Sequence, residues 1–333
     1  MTDSLTRASR DTDRLTARYA SGWTPAVAAL MDPSDPHDPI ARQYVPDAAE
    51  LIDAPDEHPD PIGDHAHSPV EGIVHRHADR VLLKPVHVCP VYCRFCFRKA
   101  MVGPDGERTL PPAALDAALA YVASHPEIWE VIVTGGDPFM LSAPRAAALA
   151  ERIAGVRHVQ VTRWHTRMPV ADPERVTEDF ARAIVAEGAA VWVAVHVNHP
   201  RELTDAAVAA IARLRGAGAT LISQSVLLNG VNDDADTLAD LFRALVAAGV
   251  KPYYLHHLDR APGTAHFRVP LERGRAIAEA LRARLSGLAQ PTYVLDIPGG
   301  EAKALAAPSQ VTREGDAWAV KGADGGWRGY RED

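Results

Sequence analysis

Between residues 80 and 260 the chain repeats one pattern six times: a short apolar, β-branched run followed by an Ala/Leu/Arg stretch with helical spacing. The runs are Val81–Val86, Val131–Thr134, Val159–Thr162, Val191–Val197, Thr220–Ser225 and Pro252–His256. The helical stretches between them are Pro112–Ser124, Pro144–Ala154, Pro173–Glu187, Asp205–Ala217 and Asp236–Ala248. Near-continuous apolar strands are what a sheet covered on both faces requires, and strands separated by helices pair in parallel. Six such units in succession predict a barrel or partial barrel rather than a doubly wound sheet. A further strand is expected over Thr292–Ile297 after a helix at about 271–286, and a hairpin from Trp318–Val320 and Gly325–Trp327. The expected fold is therefore α/β: a partial parallel (β/α)6 barrel with an N-terminal helical and irregular extension and a short C-terminal β tail.

The extension is set apart by composition. Residues 31–60 hold nine acidic residues, six prolines and one arginine, Arg42. Proline at that density breaks helices, so the segment reads as an irregular wrap, preceded by a short helix around 11–30. The organisation expected is 1–80 as the wrapping segment, 81–290 as the partial barrel and 291–333 as the last strand and tail. With 47% apolar residues the chain has ample material for a core, which excludes disorder as its main state. No apolar run reaches the ~18 residues of a membrane span. Met1–Arg7 leads into no apolar segment, so no secretory signal is expected and the location expected is cytoplasmic. A net charge of −8 argues against nucleic acid as a partner.

In parallel barrels ligands bind at the carboxyl ends of the strands. The unusual residues of this chain fall there. The cysteines follow the first strand and Gly135-Gly136-Asp137-Pro138 the second. His196 and Asn198 end the fourth, Gln224 the fifth, and Asp259 follows the sixth. Strand-to-helix turns are rich in Gly, Pro and Asp for conformational reasons alone, which would account for Gly135–Pro138 but not for the cysteines.

All three cysteines, Cys89, Cys93 and Cys96, lie within eight residues in a C-x3-C-x2-C pattern. Three cannot all pair as disulfides, and thiolates so close suit a soft metal centre. Two centres are open to them. A structural zinc could borrow His87, although the paired C-x2-C knuckles usual for zinc are missing. A [4Fe–4S] cluster takes four ligands, so three cysteines would leave one iron open to substrate. The pattern, on the loop after the first barrel strand, resembles the radical S-adenosylmethionine (SAM) superfamily. That resemblance implies a [4Fe–4S] cluster whose open iron chelates SAM and yields a 5′-deoxyadenosyl radical. It also places Gly135, Gly136, Asp137 and Pro138 near the methionyl amino group.

A narrower resemblance follows. His75-Arg76-His77-Ala78-Asp79-Arg80, Cys93-Arg94-Phe95-Cys96-Phe97-Arg98, His196-Val197-Asn198-His199-Pro200, Gln224–Leu228 and Pro298-Gly299-Gly300-Glu301-Ala302-Lys303 resemble the lysine 2,3-aminomutase family. So does Met31-Asp32-Pro33 through Asp38-Pro39-Ile40, and the likeness runs from about residue 30 to the tail. The resemblance implies an isomerase that carries the α-amino group of lysine to the β-carbon, with pyridoxal 5′-phosphate as a second cofactor. Lys303 would hold that cofactor, with Arg76 and Arg80 on its phosphate. His196 and Gln224 would join the glycine loop around SAM. Arg98 would take the substrate carboxylate, and Asp259 and Asp296 its ε-ammonium, since a buried cation needs paired carboxylates. An electron donor such as flavodoxin or ferredoxin and a homo-oligomer are further implied. Two departures stand out. The longer free-lysine members carry zinc-binding cysteines near the C-terminus, absent here, and Glu301-Ala302 replaces two glycines before the lysine. Short members include the enzyme that supplies β-lysine to elongation factor P, and a radical aminomutase of another amino acid is the remaining alternative.

Overall fold

The computed structural model describes residues 14–103, 109–315, 317–322 and 324–330. Nine strands form one sheet in the order of the chain, β1 to β9. They are β1 Ile73–His77, β2 Arg80–Val86, β3 Glu130–Gly135, β4 Val161–Thr166, β5 Ala190–His196, β6 Thr220–Leu227, β7 Lys251–His257, β8 Thr292–Asp296 and β9 Lys303–Leu305. Strands β2 to β8 are parallel, while β1 and β9 pair antiparallel at the two edges. The expected α/β sheet is present, with one more parallel strand than six units supply.

Register decides what each face carries. Val131, Val133, Trp164, Val193, Val195, Leu221, Leu255 and Tyr293 join one core with apolar side chains of the flanking helices, such as Leu149, Ile153, Leu214, Phe242 and Leu281. The other face carries the in-register rows Ile132–Arg163–Trp192–Thr220, His165–Ala194–Ile222 and His196–Gln224–Tyr254, then His256, Asp296 and Lys303. That face carries most of the sheet's polar side chains, alongside Ile132, Trp192, Ala194 and Ile222. The β4 boundary follows from it: the apolar run begins at Val159, but the strand begins at Val161 and continues through Arg163 and His165, whose side chains share the polar face.

The sheet curls so that its two edges approach. A methyl group on Gly300, in the turn between β8 and β9, would lie 2.8 Å from Arg76 Cδ of β1 and 2.0 Å from the carbonyl oxygen of Ile62. The stretch from Pro61 to Gly63 fills the gap, with Gly299 N donating to Pro61 O at 3.4 Å. This is a partial barrel, open in its hydrogen bonding and plugged by the leader. The helix expected at 11–30 is two short pieces, a turn at 14–18 and Pro25–Ala28, separated by Gly22; residues 11–13 lie outside the described residues. The stretch Pro173–Glu187 is likewise broken, because Thr177 caps a new helix, Glu178–Ala183, by accepting from Phe180 N. The expected hairpin is a three-stranded sheet, Val311–Glu314, Ala317–Lys321 and Trp327–Tyr330. No helix among the described residues is long and apolar enough to cross a membrane.

Candidate active site

The cysteine loop leaves β2 at the end where parallel sheets bind ligands, and buried charge fixes its shape. Arg94, between the second and third cysteines, is 1% exposed and forks onto Glu50, which is 0% exposed. Its Nε lies 2.9 Å from Oε1 and its Nη2 2.6 Å from Oε2. Lys99 Nζ reaches Glu50 Oε2 at 3.1 Å and the carbonyl of Gly263 at 2.7 Å. Glu50 sits in a 3-10 turn, Ala48–Leu51, that Asp47 caps. The acidic wrap therefore supplies the counter-ion of the cysteine loop. On the loop's other side, Arg167 donates from Nη1 to Cys93 Sγ at 3.4 Å and from Nη2 to Gln43 Oε1 at 2.6 Å and Glu202 Oε2 at 2.5 Å.

Gly135 and Gly136 permit a close backbone approach. Gly136 N donates to Val86 O at 2.8 Å and Asp137 N to Val88 O at 2.9 Å, zipping the end of β3 to the chain entering Cys89. A Cβ on Gly136 would lie 2.2 Å from Val88 O, and Gly135 has φ 113° besides. Asp137 does not present a free carboxylate to a ligand. It accepts from Phe139 N at 2.9 Å, Arg167 N at 2.7 Å and Thr166 Oγ1 at 2.8 Å, so it braces the loop. Pro138 is buried at the start of the next turn. His196 closes β5 with Nε2 3.2 Å from Asn198 Oδ1, and Gln224 lies beside it in register on β6. Burial, reinforced by Arg167, pushes His196 well below the usual imidazole range, so it is neutral at pH 7.

The remaining candidates gather on the polar face. Asp296 and Lys303 are register partners across β8 and β9, with Nζ 2.5 Å from Oδ1. His256 Nδ1 lies 3.4 Å from the other oxygen. Burial alone would raise the Asp296 carboxyl; the His256 hydrogen bond and the Lys303 ammonium outweigh it and hold the group well below the usual carboxylate range. Asp259 is the opposite case. Burial and the neighbouring Asp296 charge push it up to about 7, against the pull of Lys303, Arg98 and Arg76. Those same influences place Arg98, Arg76, Asp296 and Lys303 within electrostatic range of Asp259. Arg98 pairs with Asp64 Oδ2 at 3.0 and 2.6 Å, while Asp64 Oδ1 is buried with no partner. Arg76 donates to Ile62 O at 2.7 Å, and Arg80 pairs with Asp79 at 2.6 Å near the surface.

Several residues of the site carry no sequence signal of their own. His256, His165 and Tyr254 are polar positions inside strand patterns, and only the alternation of β7 and β4 points them inward. Asp64, Glu50 and Gln43 belong to the irregular leader, where acidic residues look like a solvated surface.

A model of the radical SAM superfamily matches residues 83–242. An L-lysine 2,3-aminomutase of Clostridium subterminale is 37% identical over 288 residues, covering 86% of this chain and 69% of that protein. Another from Escherichia coli is 38% identical over 273 residues, covering 82% of this chain and 79% of that protein. The chain belongs to the lysine 2,3-aminomutase family.

Members of this radical SAM family use a [4Fe–4S] cluster with SAM, and the cysteine loop fits the cluster. Burial pushes all three thiols up, Cys93 to about 11, so thiolates here need a cationic core to offset them. Among the described residues no group of three His, Cys, Asp or Glu side chains could hold a single metal ion; a cubane gives each thiolate its own iron. The family's pyridoxal phosphate also finds suitable residues. Burial and the charges of Arg80, Arg76 and Lys303 hold His77 below the usual imidazole range, so these three cations act on one ring. A phosphate would relieve their mutual repulsion.

Proposed function

We propose that this chain converts L-lysine to β-lysine, moving the amino group from the α- to the β-carbon. The observation that carries this is the charge gathered at the carboxyl ends of β2, β7 and β8. Arg98 lies beside the cysteine loop, and two carboxylates, Asp259 and Asp296, share the same electrostatic environment. An amino acid with a cationic tail matches that arrangement, with its carboxylate on Arg98 and its ammonium between the aspartates. A cation there also removes the repulsion that raises Asp259.

Each side chain then has a task. Asp64 holds the Arg98 guanidinium in one orientation through two bonds to a single oxygen. Lys303 leaves Asp296 to carry pyridoxal phosphate, and the lysine ammonium replaces it on that carboxylate. Arg76 and Arg80 take the cofactor phosphate. His196, Gln224 and the Gly135–Pro138 loop border SAM, with Asp137 bracing rather than touching it. When bound, pyridoxal phosphate would supply a conjugated system that spreads an unpaired electron, and SAM with the cluster would supply the hydrogen-abstracting radical. The partial barrel keeps water and stray hydrogen donors from that radical. A low-potential donor of the flavodoxin or ferredoxin kind would serve it, in the cytoplasm and as a homo-oligomer.

The test is anaerobic. Reconstituted protein with dithionite, SAM, pyridoxal phosphate and L-lysine is expected to yield β-lysine, and Lys303→Ala to yield none. Conversion of a different amino acid with lysine untouched would overturn the substrate assignment.

A further inference from the structure

We infer that Arg167 is a positioning residue that sets the reduction potential of the cluster through Cys93. Its guanidinium is 6% exposed, between the rings of Tyr44 at 5.0 Å and Phe95 at 5.4 Å. In that apolar slot its donors are worth more than they would be in water. Nη1 points at Cys93 Sγ at 3.4 Å, and Nη2 is held by Glu202 and Gln43. Nε is buried and has no acceptor in the protein.

The three sulfurs are treated unequally. Cys93 alone receives a cationic side chain among the described hydrogen bonds. Hydrogen bonds to cluster sulfurs and local positive charge raise the potential, because the reduced cluster carries one more negative charge. Glu202 neutralises most of the long-range charge of Arg167, so the directed bond to sulfur is the part that acts. Arg167 N also donates to Asp137 Oδ2, which ties this residue to the glycine loop on the other side of the cluster. The reduction is a one-electron transfer from an external low-potential donor, with no bond made or broken in the chain.

The experiment is a redox titration of the reconstituted, SAM-free protein followed by electron paramagnetic resonance, after iron and sulfide have been counted. The variant R167M/E202Q removes both charges together and so leaves no buried unpaired carboxylate. With full iron it is expected to hold about tenfold less reduced cluster at a given donor ratio, a 59 mV fall for one electron. A reduced fraction within twofold of the unsubstituted chain, at full iron, overturns the proposal. Should R167M/E202Q not retain iron, R167K decides. Its ammonium keeps the ion pair with Glu202 but cannot fork onto the sulfur as well. A several-fold fall in the reduced fraction supports the assignment, and an unchanged fraction overturns it.

Discussion

Asp259 and Asp296 follow and end neighbouring strands yet titrate far apart. Asp296 has Lys303 and His256 against its oxygens, so its charge is satisfied. Asp259 has no such partner among the described residues; burial and the charge of Asp296 push its carboxyl up to about 7. The sign for binding follows. A lysine ammonium needs the carboxylate, so below pH 7 binding must first release a proton. The apparent KM for lysine is expected to fall as pH rises through about 7, and Asp259→Asn to flatten that profile in steady-state assays. For stability, the folded pKa exceeds the ordinary value of about 3.9. Between the two values the fold holds a proton that the unfolded chain has released, so this group's contribution declines as pH rises from about 4 to about 7. Asp296→Asn removes a charge-assisted contact of about 1.5–3 kcal/mol, so KM for lysine should rise roughly 10- to 100-fold; an unchanged KM would remove Asp296 from the ammonium site. Both aspartates are visible in the sequence as polar residues at strand ends. Their difference is not, because it depends on Lys303 lying opposite Asp296 in a register only the folded sheet sets.

At the level of elements, the sequence announces those buried on both faces and conceals the rest. The cores of β3 and β5 are continuous apolar runs, Val131–Val133 and Val191–Val195, while Lys84 interrupts β2 and Ser223–Ser225 interrupts β6. Three of the five residues of β1 are His or Arg, at an edge of the sheet, and β9 is only three residues long. Neither length nor pattern distinguishes such strands from loop. The glycine loop is a middle case. Turn chemistry predicts glycine at Gly135 and Gly136, while the reason for it is the neighbouring chain entering Cys89. A methyl group at Gly136 would meet Val88 O at 2.2 Å and Val88 N at 2.6 Å, both backbone atoms that cannot rotate aside. Gly136→Ala is therefore expected to separate β3 from the cysteine loop and lower the iron bound after reconstitution by at least half. Iron content and the visible absorption of the cluster check this. Full iron with an unshifted melting temperature would show that the loop yields more easily than its hydrogen bonds imply.

For the whole molecule, the acidic leader is a structural part of the cluster site rather than a wrapping around it. Its composition predicts an irregular wrap, and within it Glu50 is fully buried against Arg94 and Lys99, and Asp64 against Arg98. Two cations from the cysteine loop thus depend on one carboxylate from a segment more than forty residues upstream. Removing one partner of a buried pair costs about 3–5 kcal/mol, because the other charge stays buried. Glu50→Gln leaves two such cations and is expected to lower the stability of the iron-free protein by that amount in urea. Burial alone would raise the Glu50 carboxyl, but Arg94 and Lys99 hold it below its ordinary value. Its contribution is therefore complete above about pH 4.3, the ordinary value, and is lost as pH falls through the folded one. The variant should show a shallower acid-unfolding curve than the unsubstituted chain. Hydrogen exchange then separates two architectures. If the leader is integral, the amides of residues 41–64 and 93–99 open together, and both open faster in Glu50→Gln. A leader that opens freely while the cysteine loop stays protected would mean that Arg94 and Lys99 find other partners, and the partial barrel would then hold its cluster loop unaided.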